Sequence, residues 1–475
     1  MNAKQKLTLC VLWGAGAAWA NDFLYALQDP LQAKPQMLSA PVTLPGDIAS
    51  LKCNAIYPDI GYAIEPLSLI TAVNMALCHH PQLKSAWAAI RIQASAVGEA
   101  KAAYMPTLNV SASRLKNSTQ NTDGITPDST NQGQTRYANL SWRLFDFGTR
   151  AANLDTANQL LKAALASHDA AFQKVLMSVT GAYFDVMTAQ AAAKARAQAV
   201  NLALATWQTT KRRVERGVAA SSDTLQAAAT LAKAQLTLNR AQGEAQKTHS
   251  VLMYAMGLPT DTKVQLPDEH LHKQDIKMDD LNQWLIEAQT VHPALAAARA
   301  QVITSRAKVS ATQAEGLPSL DFVYTLNQNG YPNQGLSAQS NKVKNVGFTL
   351  SVPFFEGFAR TYKVKGMQAQ SEQAQAQFED TQLQVLTDVV KAHADAQTTF
   401  ESLQASLDLL HATQAALQTS QKRYEKGATD ILELLSTQNA LADAQQERIK
   451  CLSDWRSARL KLLASVGVLG RENLE

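Results

Sequence analysis

The hydrophobic pattern of this chain changes its period several times, and it does so twice in the same order. Short stretches in which apolar and polar residues alternate stand beside very long stretches in which apolar residues recur every three or four positions. A period of two is typical of a β-strand with one apolar and one polar face, whereas a spacing of three and four is typical of an amphipathic helix. The sequence therefore predicts strands combined with long helices.

The strand pattern occurs four times, at 107–115, 137–145, 319–328 and 345–353. In the third strand, for example, Leu320, Phe322 and Tyr324 alternate with mainly polar residues. Strands of roughly 9–11 residues fit a tilted crossing of a bilayer. Four strands of a soluble sandwich would show the same alternation, so the pattern alone leaves both alternatives open.

Two further features favour the membrane. Aromatic residues gather at the strand ends, as in the girdle at a bilayer interface. These residues are Tyr104, Trp142, Phe145, Phe147, Phe354, Phe355 and Phe358. The predicted loops 116–136 and 329–343 are long and polar, which is typical of loops outside a membrane. Beyond the N-terminal segment, no apolar run is long enough for a membrane-spanning helix.

Very long helices are predicted after the second and the fourth strand. The first spans 149–214, where the coiled-coil spacing continues without a proline. A helix of about 65 residues extends roughly 100 Å. Its counterpart spans 358–425, and each long helix is followed by another, at 221–256 and 430–466. Helices of this length serve as rods or as the staves of a cylinder.

The chain contains two copies of one sequence repeat. Repeat 1 spans 65–260 and repeat 2 spans 281–468, with a linker at 261–280 and a short C-terminal tail at 469–475. The motifs that return in register are His80-Pro81 as His292-Pro293, Arg213 to Gly217 as Arg423 to Gly427, and Met256-Gly257 as Val466-Gly467. An internal duplication implies a quasi-symmetric architecture.

The N-terminus is typical of a secretory signal peptide. A basic start and an apolar run precede Ala18-Trp19-Ala20, an A-x-A cleavage site, so removal of residues 1–20 is predicted. The following segment, 21–64, is rich in Pro, Gln and Ala and is predicted to be irregular.

Export implies an oxidising compartment, in which disulfides form and persist. Cys53 and Cys78 could pair there, which would leave Cys451 without a partner. Sequence spacing alone does not prove this pairing.

Composition and motifs argue against several classes of function. The net charge is +4 and both signs are interspersed, so no basic face for nucleic acid is predicted. No nucleophile elbow, phosphate-binding loop or zinc motif occurs, and the sequence therefore predicts no enzyme, cofactor or metal site. The histidines His79, His80 and His292 are expected to cap helices or to face solvent.

Four strands are too few to close a membrane barrel. An open sheet edge in hydrocarbon leaves backbone N–H and C=O groups unpaired, so identical chains must supply the missing strands. Two copies would give eight strands with a filled interior, whereas three copies would give twelve strands that can enclose a lumen. The pattern thus predicts a conduit for transport.

The order of these elements resembles that of the TolC-like outer membrane factors, over roughly residues 65–470. The residues that carry the resemblance are the helix junctions Ala76–Pro81 and Ala288–Pro293, the prolines Pro106 and Pro318 before a strand, the aromatic segments near 145–148 and 354–357, and the hairpin tips 213–227 and 423–437. The resemblance implies a mixed α+β membrane protein in the outer membrane, extending into the periplasm. It implies a homotrimer with a twelve-stranded β-barrel continuous with a twelve-helix α-barrel.

The resemblance also implies partners and two sites at the hairpin tips. The partners would be outer-membrane lipid, a periplasmic adaptor and an inner-membrane transporter, either an ABC exporter or a proton-driven pump. The residues expected to dock the adaptor are Arg213, Arg216, Gly217, Arg423, Lys426 and Gly427. A basic last turn followed by glycine is also what any helix end favours, so an ordinary structural role remains the alternative.

The second site is a periplasmic gate. Its expected residues are Ser222, Asp223, Tyr424, Thr429, Glu433 and Ser436. By resemblance, Asp223 would tie one hairpin tip to Tyr424, and Glu433 would belong to a ring of acids that attracts cations. This chain departs from the family at two positions, because Thr429 replaces an Arg that Ser222 would bind and Ser436 replaces a second acid. The alternative for Glu433 is an ordinary solvated residue.

Three functions remain open. Within the family, residues 76–108 look most like the CyaE branch, which serves type I protein secretion. Drug-efflux members share the fold, so an efflux channel is the second interpretation. A trimeric surface adhesin is the third, although an adhesin would carry its membrane segment at the C-terminus, whereas these strands lie in the middle of each repeat.

Overall fold

The computed structural model describes residues 66–120, 128–260, 264–267, 280–329 and 341–470, together with the single residues 31 and 262. The predicted signal peptide lies outside these residues, as does most of segment 21–64. The described chain divides into two compact units. Unit 1 comprises 89–165 and 297–378, and unit 2 comprises 66–88, 166–296 and 379–470.

The helices and strands follow one order twice. The first set is α1 Leu69–His79, α2 Pro81–Ala102, β1 Thr107–Thr119, β2 Ser129–Phe145, α3 Thr149–Glu215 and α4 Ser221–Ala255. The second set is α5 Leu281–Val291, α6 Pro293–Ala314, β3 Ser319–Gln328, β4 Lys342–Ser351, α7 Ala359–Glu425 and α8 Ile431–Val466. Helices α3 and α7 have 67 residues each. None of the described helices is long and apolar enough to cross a membrane.

The four strands form one antiparallel sheet in unit 1, in the order β1-β2-β3-β4. Strands β2 and β3, which come from different halves of the chain, pair in the centre. Strands β1 and β4 lie at the edges, and each has a described strand on one side only. The sheet therefore joins the two halves and leaves two edges for further pairing.

The first two strands are longer than the alternation predicts. β1 continues to Thr119 and β2 begins at Ser129, so much of the loop predicted at 116–136 is paired strand. Ser118 and Thr130 hydroxyls lie 3.3 Å apart across the added ladder. The prediction was wrong here because this extension is polar on both faces, and a strand without an apolar face shows no alternation. β4 also begins earlier and ends earlier than predicted, at Lys342 and Ser351.

Unit 1 also contains a small apolar core between helices α2 and α3. Ile90 and Val97 of α2 lie against Ala157 and Leu161 of α3. Below the sheet, the Arg150 guanidinium contacts the Asp146 carboxylate at 2.9 Å and donates to the Arg143 carbonyl at 2.8 Å. One side chain thus ties the end of β2 to the start of α3.

Unit 2 contains the largest apolar core. It includes Val73 and Ala76 of α1, Val175 and Val179 of α3 and Leu252 of α4, all nearly fully buried. The seam that the coiled-coil spacing predicts on α3 is the side that enters this core. The Tyr183 hydroxyl donates to the Leu67 carbonyl at 2.9 Å, and burial raises the pKa of Tyr183 to about 12.

The cysteines of unit 2 differ in state. Cys78 is disulfide-bonded, whereas Cys451 is free and buried. Cys53, the predicted partner of Cys78, lies outside the described residues. Burial raises the pKa of the Cys451 thiol, and Glu447 adds to the shift. A protonated, buried thiol of this kind is unreactive.

Histidines cap the second helix of each half. Pro81 and Pro293 occupy the first helical position, which suits a residue without an N–H group. The residues before them, His80 and His292, accept a backbone hydrogen bond on Nδ1, from the N–H of Gln82 and of Ala294, both at 3.2 Å. A ring nitrogen accepts only when it is unprotonated, so both caps require neutral imidazole. Capping was one of the two roles predicted for these histidines.

Glycines let the last helix of each half approach these junctions. Gly257 and Gly467 follow α4 and α8 in the left-handed conformation, with φ of 72° and 89°. A Cβ at Gly467 would lie 2.8 Å from Pro293 Cδ, and one at Gly257 would lie 2.8 Å from the His79 carbonyl carbon. Both the conformation and the space exclude a larger residue.

We expect Gly467→Ala to destabilise unit 2 by about 2–3 kcal/mol, because alanine is strained at positive φ and its Cβ overlaps backbone and ring atoms. Thermal unfolding in detergent, followed by circular dichroism, measures the effect. Gly243→Ala is the matched control: Gly243 lies inside α4 with open space around its Cα, so alanine should stabilise the helix by about 0.5–1 kcal/mol. Equal effects of the two variants would contradict the packing argument.

The histidine caps predict a loss of stability at acidic pH. Burial lowers the pKa of His80, and it lowers that of His292 against the opposing effect of Asp388. A lowered folded-state pKa means that this stability is complete above the unfolded value of about 6.5 and is lost as pH falls through the folded value. Urea unfolding at pH 7.5 and pH 5 should show the decrease.

The double variant His80→Asn/His292→Asn isolates the contribution of the two histidine caps to the pH dependence of stability. Asparagine is a strong N-cap that does not titrate, whereas alanine at each position should cost about 1 kcal/mol at pH 7.5. The asparagine variant should keep its stability at pH 7.5 and lose less of it at pH 5. An unchanged pH dependence would show that the caps do not control it.

Candidate functional site

The sheet has one mainly apolar face. Strand register places its residues in cross-strand rows; two of these rows are Leu108, Leu140, Tyr324 and Val346, and Trp142, Phe322 and Phe348. Several of these side chains are exposed in the chain, and Val346 and Phe348 are 71% and 69% exposed. An exposed apolar surface of this kind marks contact with lipid or with protein.

The opposite face is mainly polar. The row next to those above consists of Asn109, Asn139, Thr325 and Asn345. On the same face, the Arg143 Nε lies 2.9 Å from the Asp321 carboxylate and joins the two central strands. A sheet with one lipid-compatible face and one hydrated face is what the wall of a membrane pore requires.

Aromatic residues surround the base of the sheet, as the sequence predicts. Phe354, Phe355 and Phe358 are all strongly exposed, and the Phe355 and Phe358 rings meet edge to face at 5.5 Å. Phe147 and Phe358 adopt positive φ, which is rare for a bulky residue. The chain accepts this strain at the two points where a strand turns into a long helix.

The hairpin tips are the second candidate site. After α3, the Gly217 N–H donates to the Val214 carbonyl at 2.9 Å and the Val218 N–H donates to the Arg213 carbonyl at 3.0 Å. Gly427 and Ala428 close α7 in the same way. Both tips therefore end in a Schellman motif, which requires glycine in the left-handed conformation.

Tyr424 lies at the centre of the contact between the two hairpins. It is 6% exposed and packs in an apolar cluster with Leu417, Ile431, Leu434 and Leu435. The Arg213 guanidinium stacks over its ring at 4.7 Å and donates to its carbonyl oxygen at 2.9 Å. The aromatic ring, the carbonyl and the cation together hold the end of α3 against the end of α7.

A buried polar ladder continues from Tyr424 along α3. The Tyr424 hydroxyl lies 3.4 Å from Thr210 Oγ1, and Thr210 in turn donates to the Thr206 carbonyl at 2.9 Å. Thr206 Oγ1 accepts from Gln438 Nε2 of α8 at 2.8 Å. Sequence reasoning missed Thr206, Thr210 and Gln438. Their only signal is a polar residue on a seam that is otherwise apolar.

The second tip brings three predicted residues together. Glu433, in the first turn of α8, accepts from the Thr429 hydroxyl on one carboxylate oxygen and lies 3.3 Å from the Arg423 guanidinium through the other. Asp430 caps the helix by accepting from the Glu433 N–H at 3.0 Å. The carboxylate at this position is therefore paired within its own chain.

The remaining predicted residues lie apart from this group. The Ser222 hydroxyl donates to the Asp223 carboxylate at 3.3 Å, and within the described chain Asp223 does not bond to Tyr424. Ser436, Arg216 and Lys426 are exposed. The single chain leaves the proposed link between Asp223 and Tyr424 untested.

Known proteins share this combination of sheet and hairpins. The model of a family described as outer membrane efflux protein matches residues 72–258 and 284–468. The chain belongs to that family. The protein is therefore an outer-membrane channel that extends into the periplasm. The resemblance to the TolC-like outer membrane factors is thereby confirmed.

Two relatives and one solved structure describe the match more closely. Protein CyaE of Bordetella pertussis is 31% identical over 412 residues, which cover 87% of this chain and 86% of CyaE. Alkaline protease secretion protein AprF of Pseudomonas aeruginosa is 24% identical over 305 residues, covering 64% and 63% of the two chains. The Campylobacter jejuni CmeC outer membrane channel has the same fold, with a TM-score of 0.73 and 17% identity over 85% of this chain and 88% of CmeC.

We expect Arg213→Gln to loosen the contact between the hairpins. The stacking and the hydrogen bond to Tyr424 contribute about 1–2 kcal/mol, so local opening should increase roughly tenfold. Hydrogen exchange measured by mass spectrometry should show faster exchange at the ends of α3 and α7. Arg212→Gln is the control, because Arg212 is exposed and, within the part of the chain that the structure describes, its side chain hydrogen-bonds only to Thr209 of its own helix, at 3.5 Å. Equal changes in both variants would contradict the assignment.

Proposed function

We propose that this protein is the trimeric outer-membrane exit duct of a type I protein secretion system. Three chains would form a twelve-stranded barrel continuous with a twelve-helix periplasmic tunnel. The observation that carries the proposal is the four-stranded sheet with one apolar face, whose two edges are unpaired among the described residues and which is joined in sequence to helices of 67 residues. A sheet of this kind needs partner strands in hydrocarbon, and identical chains supply them.

The relatives support secretion of a protein cargo. The chain is 31% identical to CyaE over most of both lengths. By sequence resemblance, residues 76–108 look most like the CyaE branch of the family, which serves type I protein secretion. AprF is by name a protein of protease secretion. Efflux of small molecules is the second candidate function, because the family is described by efflux. A surface adhesin receives no support from the family match.

The hairpin tips support gating by partners. Arg213, Tyr424 and the polar ladder join the two hairpins of one chain near Gly217 and Gly427. The proposed link between Asp223 and Tyr424 would form when the tips approach further. A periplasmic adaptor that binds the tips would shift these contacts and widen the opening, with an inner-membrane ABC exporter as the source of energy.

Deletion of the gene tests the choice between the two cargoes. We expect the culture supernatant to lose at least one exported polypeptide, while sensitivity to hydrophobic drugs stays unchanged. Proteomics of the supernatant and growth inhibition measure the two outcomes, and the wild-type gene should restore secretion. Drug hypersensitivity with an unchanged set of secreted proteins would favour efflux instead. A monomer in detergent, measured by light scattering, would contradict both.

A further inference from the structure

The second hairpin tip carries a carboxylate and a cation in direct contact. Glu433 stands in the first turn of α8, and Arg423 stands in the last turn of α7, where one carboxylate oxygen and the guanidinium are 3.3 Å apart. The other oxygen accepts from Thr429, and the backbone of Glu433 is fixed by the Asp430 cap. Two side-chain contacts thus hold the Glu433 carboxylate against its own chain, and the cap fixes the backbone that carries it.

The pair matters for the local electric field more than for stability. The Arg423 and Glu433 side chains are 53% and 40% exposed, and an exposed ion pair adds little to the free energy of folding. Opposite charges 3.3 Å apart nevertheless largely cancel at distances several times their separation, and salt screens what remains over a Debye length of about 10 Å at 0.1 M. An ion that approaches the tip therefore meets a nearly neutral pair.

We propose that Arg423 determines the ion selectivity of the periplasmic opening by neutralising Glu433. The proposal rests on the proposed function, which places three copies of this tip around one axis. A ring of three unpaired carboxylates would favour cations over anions. A ring of three ion pairs adds no net charge to the opening, so Glu433 then gives little preference for cations over anions.

Reversal potentials of the purified protein in planar bilayers, measured in a KCl gradient near 0.1 M, test the idea. The wild-type ratio of K⁺ to Cl⁻ permeability should be close to unity. Arg423→Gln frees Glu433 and should raise the ratio at least about threefold, and the increase should disappear near 1 M salt, where the Debye length is about 3 Å. Glu433→Gln should change the ratio in the opposite direction, toward chloride. The double variant should return close to the wild-type value.

Two controls separate the pair from a general effect of charge. Arg423→Lys keeps the cation and should keep wild-type selectivity. Lys422→Gln removes the same charge from the neighbouring exposed position, which forms no ion pair with Glu433, and should shift the ratio much less than Arg423→Gln does. Equal shifts for Lys422→Gln and Arg423→Gln would overturn the proposal, as would a strongly cation-selective wild type that Arg423→Gln does not change.

The same recordings test the proposed channel separately from the proposed role of the Arg423–Glu433 ion pair. Wild-type protein that inserts but gives no conductance would contradict the proposed channel itself. Clear channels whose selectivity is indifferent to Arg423 would leave the channel intact and refute only the role of the ion pair. If Arg423→Gln fails to assemble, Glu433→Gln decides: a ratio below unity supports a carboxylate balanced by Arg423, whereas a ratio that stays at or above unity overturns the proposal.

Discussion

Backbone hydrogen bonding at the sheet edges is the constraint on which the rest of this molecule depends. The rows of apolar side chains suit hydrocarbon, where each unpaired N–H or C=O group costs several kcal/mol. The edge strands β1 and β4 each have a free side within the described chain. A chain built in this way reaches a stable state in the membrane only when other strands cover both edges. The proposed pore would follow from that requirement, because closing the sheet would also separate its polar face from lipid.

The two halves of the chain use the same elements for different chemistry. Helix lengths agree almost residue for residue, and the Schellman motifs and histidine caps occur in both halves. The tips differ at the helix N-caps. The Asp430 side chain caps α8, whereas Ala220, the N-cap residue of α4, has no side chain that could do so. Arg213 of the first half also reaches across to Tyr424 of the second. The duplication thus explains the repeated order of helices and strands, whereas residues that differ between the two halves make the contacts between the hairpins.

The long helices and strand β3 could be predicted from sequence to within one or two residues, whereas β4 begins at Lys342 instead of 345. The long helix predicted at 149–214 is Thr149–Glu215, and the strand predicted at 319–328 has those same bounds. Both elements have one face in an apolar environment, and apolar residues therefore recur in their sequences at regular intervals. The extension of β1 and β2 carries polar residues on both faces, so its sequence shows no apolar–polar alternation. Its pairing depends on backbone hydrogen bonds that residue type does not reveal.

Positions at the tips could be predicted by resemblance, but their contacts could not. Thr429 stands where the family has an arginine, and a comparison made position by position suggests that a cation is missing. The structure shows the contacts that this chain does make: the Thr429 hydroxyl donates to the Glu433 carboxylate, and the other carboxylate oxygen lies 3.3 Å from the Arg423 guanidinium. Which side chain reaches a carboxylate depends on the turn between α7 and α8 and on rotamers. Because a turn of five residues connects α7 to α8, Arg423 and Glu433 meet in space although they lie on different helices, and sequence spacing alone does not reveal that contact.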